Sequence, residues 1–371
     1  MMQYAMLKKI NLILKLLNHP SHTLFDVTML TISQKKINTC LVLCDKSKKG
    51  TLRQCEAIAK LLRDHYSLSY LTIEFQNPFF FKILNSQLTQ FIPLRFFNLF
   101  SSCKKILNFL NENTIIIAGG RRSLMFASAL AKQYPTIALL NPRCTLKNFK
   151  AVILPEHDNS KLEKNVITFK GALVDLNIRK IDKVSIDKNV FHVITILLGG
   201  DSKYYKYTSK DMDNLTHFIE QKSKLYESTV FKICASRRTN PKLAHHLFNN
   251  LNSLRDKICF EFWPHFSTNN PSQFSCDNNP YIHYLEEADE VIVTSDSISM
   301  LAEACCIGVP VTLWRLPIIP KKFRRFFDDM VQNKYCTYED IIMPQACKKF
   351  NELEVIKPQL FAILNEISSN A

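Results

Sequence analysis

Two successive series of short β-rich apolar runs, each run followed by a helix-length amphipathic segment, constrain this chain more than any other feature. The first series is Cys40–Cys44, Tyr70–Phe75, Thr114–Ala118, Thr136–Leu140 and Ala151–Leu154. The second is Phe191–Leu198, Thr229–Ala235, Lys257–Phe262, Glu290–Thr294 and Val309–Trp314. Regular alternation of strand and helix is the signature of repeated βα units and a largely parallel sheet, whose strands are covered on both faces and so read as unbroken apolar runs. The pattern predicts an α/β fold of two Rossmann-like domains facing a cleft. A less regular stretch divides the two series, which places an N-terminal domain at 37–170, a linker at 171–190, a second domain at 191–345 and a C-terminal helix at 346–371, with that helix crossing back to the first domain as one arrangement.

With 371 residues and a hydrophobic fraction of 46%, the chain has material for two cores and is far too apolar to be disordered. No run approaches the roughly 18 apolar residues that a membrane-spanning helix needs. Residues 1–36 include LKKINLILKLLNHP, broken by Lys8, Lys9 and Lys15 and free of acidic residues before Asp26. They read as an amphipathic extension that touches a membrane or packs on the first domain, not as a secretory signal. A formal charge of +15 draws the chain toward polyanions such as lipid surfaces, nucleic acid or phosphorylated substrates without choosing among them. Cys40, Cys44, Cys234, Cys305 and Cys306 lie in apolar runs and there is no CxxC pair, a pattern of buried thiols in a cytoplasmic protein with no metal site and no cofactor.

Ligands of open parallel sheets bind beyond the carboxyl ends of the strands, where loops lead into helix N-termini. Only seven glycines occur, and five of them, Gly50, Gly119, Gly120, Gly199 and Gly200, follow expected strands. GGDSKYYKYT presents Gly199, Gly200 and Ser202 as a phosphate cradle, the alternative being an ordinary βα turn. CASRRT sets Arg237 and Arg238 beyond a strand, where guanidinium groups can grip phosphate oxygens, the alternative being a solvated Arg pair. In EEADEVIVTSDSISMLAEACCIGVPVTL a strand leads to a Ser/Asp-rich cap and a helix. Asp296 or Ser295 is the expected cap, the free N–H groups near Ser297 and Ser299 would favour a phosphate, and Glu303, one turn on, is placed to accept from both hydroxyls of a ribose, the alternative being an exposed helix glutamate with no ligand. In the first half, Arg121, Asn141 and Arg143 join Gly50, Gly119 and Gly120 on the acceptor side of the cleft, and PEHD offers His157 and Asp158 as a general-base pair or as part of a plain surface loop.

Residues 75–111 contain no Asp or Glu before Asn111, hold Lys82, Arg95, Lys104 and Lys105, and concentrate Phe. This is the composition of a peripheral membrane contact, or of a helical pair packed on the first sheet. Single-stranded nucleic acid would need these aromatics to face solvent along a groove and is the weaker reading.

Taken in order, D-x4-G-x3-Q (Asp45, Gly50, Gln54), AGGRRS, NPR, PEHD, GGDSKYYKYT, SRRT and NPYIHYLEEADEVIVTSDSISMLAEACCIGVPV resemble the mitochondrial fission family named for the plant elongated-mitochondria protein, in its bacterial-type form. The stretch Ala288–Val311 is also similar to the nucleotide-sugar site of glycosyltransferases with two Rossmann-like domains (the glycosyltransferase-B architecture), notably the bacterial lipid-linked cell-wall N-acetylglucosaminyl transferase. That resemblance implies diphosphate at Ser297 and Ser299 and ribose at Glu303. Those enzymes carry Gly where Ser295 and Asp296 stand here, and an acidic side chain near a diphosphate is unfavourable unless it points away. The combined resemblance implies binding of a nucleotide-diphosphate sugar or similar phosphorylated ligand and metal-independent glycosyl transfer at a membrane. The alternative it implies is a non-catalytic adaptor that recruits a protein partner, in plants a dynamin-related GTPase, to a membrane surface.

Overall fold

A computed structural model describes residues 37–46, 48–75, 86–156, 163–175, 191–264, 266–267, 270–274, 279–345 and 347–369. The amphipathic extension, most of the linker, His157 and Asp158 lie outside the described residues, as do residues 76–85 of the Phe-rich segment.

The first half runs β1 (Thr39–Asp45), α1 (Lys49–Tyr66) and β2 (Ser69–Phe75), then two single helical turns at Ser86–Thr89 and Leu94–Phe97. It continues through α2 (Ser101–Phe109), β3 (Thr114–Gly119), α3 (Arg121–Leu130), β4 (Thr136–Leu139), β5 (Ala151–Pro155) and β6 (Val166–Phe169). All six strands are parallel, in the order β2-β1-β3-β4-β5-β6. Central strands such as TIIIAG are buried at every position, as expected when helices cover both faces, whereas edge strand β2 alternates toward solvent.

The second half runs β7 (His192–Leu198), α4 (Ser209–Ser223), β8 (Thr229–Ala235), α5 (Pro241–Asn252), β9 (Cys259–Trp263) and a hairpin of β10 (Phe266–Ser267) with β11 (Asn270–Phe274). There follow α6 (Tyr281–Glu287), β12 (Glu290–Thr294), α7 (Ile298–Cys305), β13 (Val311–Trp314), α8 (Lys321–Gln332), β14 (Thr337–Tyr338) and α9 (Glu352–Ser369). Its sheet is also all-parallel, in the order β14-β13-β12-β7-β8-β9. The fold is thus α/β with two Rossmann-like units. Each sheet gains a sixth strand that the sequence reading lacked, β6 and β14.

Both sheets are doubly wound, so the chain turns opposite ways on either side of a switch point, between β1 and β3 in one and between β7 and β12 in the other. Apolar clusters cover the two faces of each sheet. α9 follows the second sheet in sequence yet packs on the first, where Leu353, Ile356, Leu360, Phe361 and Leu364 share a core with Ile58, Leu62, Ile117 and Ile153. The Phe-rich segment divides: Phe75, Phe97, Cys103 and Ile106 are buried in the first domain's core, while Phe91, Leu99 and Phe109 face solvent.

Candidate functional site

Acidic side chains occupy both switch points. In the first sheet, Asp45 at the end of β1 accepts from the Arg122 and Ser123 amides at 3.2 and 2.7 Å and from Ser123 Oγ at 2.8 Å, which satisfies the N-terminus of α3. Gly120 precedes that helix at φ +91°, and a Cβ there would lie 2.9 Å from the Asp45 carboxyl carbon. Only glycine allows both the left-handed turn and the close approach.

At the second switch point, Asp296 turns inward. Its Oδ1 accepts from Tyr207 Oη and Thr294 Oγ1, both at 2.7 Å, and its Oδ2 from the Gly200 amide at 3.0 Å and Arg238 Nη2 at 2.9 Å. A Cβ on Gly199 would lie 1.8 Å from Asp296 Oδ1, and one on Gly200 would lie 2.1 Å from the Arg238 carbonyl carbon. The Gly-Gly turn therefore accommodates a carboxylate of the same chain. Arg238 is shared between that carboxylate and the Gly200 carbonyl, while Arg237 is exposed. Burial, with Asp296 alongside, pushes the Tyr207 hydroxyl far above its ordinary range, so it remains a donor.

Local capping differs from expectation. Ser297, not Ser295 or Asp296, is the N-cap of α7, its Oγ accepting from the Met300 amide; Ser295 Oγ instead accepts from the Leu316 amide. Asp296 is unavailable because its four donors hold it elsewhere. Thr208 closes a capping box with Asp211 and starts α4, and Ser202 Oγ accepts from the Tyr204 and Tyr205 amides, so both hydroxyls shape the loop after β7. Asn240 caps α5 ahead of Pro241.

Glu303 projects from α7 toward α1 of the other domain. Its Oε2 receives the Tyr281 hydroxyl and lies 3.6 Å from Arg53 Nη1, while Oε1 has no hydrogen-bond partner among the described residues. Burial raises the Glu303 carboxyl above the usual range, a shift opposed by the Tyr281 hydrogen bond and the Arg53 charge. Burial and the adjacent Glu303 hold the Tyr281 hydroxyl well above its ordinary value. Glu303 and Ser299 line a cleft pocket of about 80 Å³ together with Gly50, Arg53, Gln54 and Lys60 from α1 and residues 172–175 from the start of the linker. Lys60 pairs with Asp175 at 3.1 Å, and Gln54 Oε1 accepts from the Leu173 amide at 3.2 Å.

Of the acceptor-side candidates, Gly120, Arg121, Asn141 and Arg143 come together around a pocket of about 220 Å³ at the carboxyl ends of β3 and β4. Leu140 and Arg143 on its rim adopt φ values of +73° and +57°, which non-glycine residues keep only where the surroundings impose them. Gly50 belongs to the Glu303 pocket, and Gly119 packs against Cys55 and Thr51 of α1. Arg53 and Tyr281, which position Glu303, were missed in the sequence. Arg53 lies inside the D-x4-G-x3-Q motif, one residue before its Gln, and that adjacency was the available signal.

A family model described as Mitochondrial fission ELM1 matches residues 49–356. The chain belongs to the ELM1 mitochondrial fission family. Within reach of that family stand an uncharacterized protein of Rickettsia prowazekii, 26% identical over 326 residues and covering 77% of this chain and 86% of its own, and the mitochondrial fission protein ELM1 of Arabidopsis thaliana, 22% identical over 57% of this chain. That alignment covers 55% of the Arabidopsis protein. Among solved structures, a putative UDP-N-acetylglucosamine 2-epimerase from Listeria monocytogenes superposes with a TM-score of 0.52 at 11% identity, covering 91% of this chain and 98% of that one. The ELM1-family chain thus has the glycosyltransferase-B-like arrangement of two Rossmann-like units.

Proposed function

We propose that this ELM1-family protein binds a nucleotide-diphosphate sugar or a similarly phosphorylated small molecule in the cleft between its sheets and transfers the glycosyl group at a membrane surface. The observation that carries this reading is the Glu303 carboxylate. Tyr281 and Arg53 hold one of its oxygens from two sides, and the other faces the cleft beside Ser299 without a partner among the described residues. A carboxylate fixed in this way is suited to accept hydrogen bonds from sugar hydroxyls. Ser297 and Ser299 at the start of α7, with Arg237, would stabilise the leaving diphosphate electrostatically, which requires no metal. The acceptor would enter from the pocket around Gly120, Arg121, Asn141 and Arg143, and His157 with Asp158 would supply the base. Asp296 already occupies the Gly199–Gly200 turn and engages Arg238, so these residues would support the site from behind rather than touch phosphate. The Listeria protein is named for a UDP-sugar, UDP-N-acetylglucosamine, which accords with this ligand class.

Titration of the purified protein with a panel of nucleotide sugars tests the reading. Saturable binding that disappears in Glu303→Ala supports it; no binding by any member of the panel overturns it.

A second reading, a non-catalytic adaptor at a membrane, is favoured by one feature. Phe91 and Leu99 are 71% and 76% exposed, on a segment that carries Arg95, Lys104 and Lys105 and with Lys132 over the Phe91 ring. Exposed aromatics ringed by cations suit an anionic lipid surface.

A further inference from the structure

A second pocket meets the chain just before residues 172–175, which line the Glu303 pocket. It measures about 800 Å³ and is bounded by Phe169, Lys170 and Gly171 on one wall and by the polar face of α8 on the other. This is the size of pocket that takes a small-molecule ligand, roughly 300–1,000 Å³. Three acidic residues line it; Glu156 is exposed at its edge, and the other two are committed. Lys170 Nζ holds Asp329 at 3.0 Å, and Tyr338 donates its hydroxyl to Asp328 at 2.5 Å. Lys321, Arg324 and Arg325 also line the pocket, and none of the three forms an ion pair among the described residues.

The placement of these cations works against the helix that carries them. Lys321, Arg324 and Arg325 stand at i, i+3 and i+4, so they share a face, and like charges at that spacing repel by a few tenths of a kcal/mol per pair. They also crowd the first turn of α8, which has no acidic residue and no side-chain cap, at the helix end whose dipole disfavours positive charge. Phe327 and Met330 on the opposite face are buried, so packing fixes which side meets the pocket. An anion in the pocket would relieve both conflicts.

We infer that the space between Phe169–Gly171 and α8 is an anion site, separate from the Glu303 pocket, that takes a compound bearing two or more phosphoryl charges. Guanidinium forks of Arg324 and Arg325 grip phosphoryl oxygens in pairs, and Lys321 adds a third charge. The same chemistry is presented by a soluble diphosphate and by a phospholipid headgroup.

Calorimetric titration of the full chain with inorganic pyrophosphate, beside flotation with phosphatidylcholine vesicles containing cardiolipin, whose headgroup carries two phosphates, tests the site and separates the two sources. Arg324→Gln/Arg325→Gln should weaken pyrophosphate binding about tenfold or more, because two charge-assisted contacts are lost. The double variant should melt at or above the wild-type temperature without ligand, since repulsion within α8 falls, and pyrophosphate should raise the melting temperature of the wild type alone. Glu303→Ala should leave pyrophosphate affinity unchanged; a parallel loss there overturns the separation of the two sites, whatever the nucleotide-sugar titration gives. Vesicle binding that the double variant loses, with no pyrophosphate binding by either protein, assigns the site to a headgroup. Binding of both probes that is unaltered in the double variant, or absent in the wild type, overturns the inference.

Discussion

Replacing Asp296 by Asn changes almost no volume, yet it should destabilise the second domain severely. Four donors converge on this carboxylate, two on each oxygen: Tyr207 Oη and Thr294 Oγ1 on Oδ1, the Gly200 amide and Arg238 Nη2 on Oδ2. A carboxylate has lone pairs for all four, whereas an amide offers one accepting oxygen and turns two N–H groups toward the remaining donors. Two hydrogen bonds to a charged acceptor, at about 1.5–3 kcal/mol each, put the loss at about 3–6 kcal/mol. The chain's two tryptophans, Trp263 and Trp314, close β9 and β13 of the second sheet, and both are buried. Urea unfolding followed by tryptophan fluorescence therefore reads this domain alone. Gly199→Ala should cost a similar amount, because its Cβ would fall 1.8 Å from the same oxygen, and the double variant should cost much less than the sum of the two. An Asp296→Asn protein within about 0.5 kcal/mol of wild type, the usual range of surface substitutions, would refute this account, as would strict additivity with Gly199→Ala.

Other predictions concern different parts of the molecule. Lys222 and Glu290 form an ion pair at 2.5 Å with side chains 0% and 1% exposed, so Glu290→Ala should cost about 3–5 kcal/mol in the same urea assay and Lys222→Met/Glu290→Leu considerably less. Phe91→Ser with Leu99→Ser should reduce co-sedimentation with anionic liposomes while leaving the melting temperature within a few degrees of wild type; unchanged co-sedimentation counts against the membrane contact. Phe97→Ser should instead cost about 3–5 kcal/mol, because Phe97 is a fully buried core residue. Burial raises the Glu303 carboxyl above its unfolded value of 4.5, so the folded protein holds that proton more tightly than the unfolded chain. Stability contributed there should fall as pH rises from about 4.5 through the raised folded value, and the slope should vanish in Glu303→Gln; the same slope in both proteins would exclude Glu303 as its source.

The double βα pattern was legible because fully covered parallel strands are long apolar runs, such as TILL within β7 and TIIIAG in β3. β14 was not: it is two half-buried residues, Thr337 and Tyr338, too short to carry a period. β6, VITF, is only four residues long. Glycine positions pointed correctly to strand ends but not to what fills them. Nothing in the local sequence distinguishes a Gly-Gly turn that receives phosphate from one that receives Asp296, since the two segments lie 96 residues apart. The same holds for Glu303: its helix and its spacing from Ser299 were readable, whereas its two partners come from α1 and α6. A Phe-rich stretch likewise conceals that Phe97 points inward while Phe91 points out, because its helical turns are too short for a clear periodicity.

The return of α9 to the first sheet makes that domain discontinuous in sequence. Its core draws Leu360 and Phe361 together with Ile58 and Ile117, across a second domain whose own strands are contiguous. During synthesis, the half that begins first therefore cannot be finished first: its apolar face stays open until residues 352–369 emerge, by which time the later half has its full set of strands. A cut in the linker would separate the first sheet from part of its own core and would not release an intact unit. The sheet that comes first along the chain is the one whose core can be completed last.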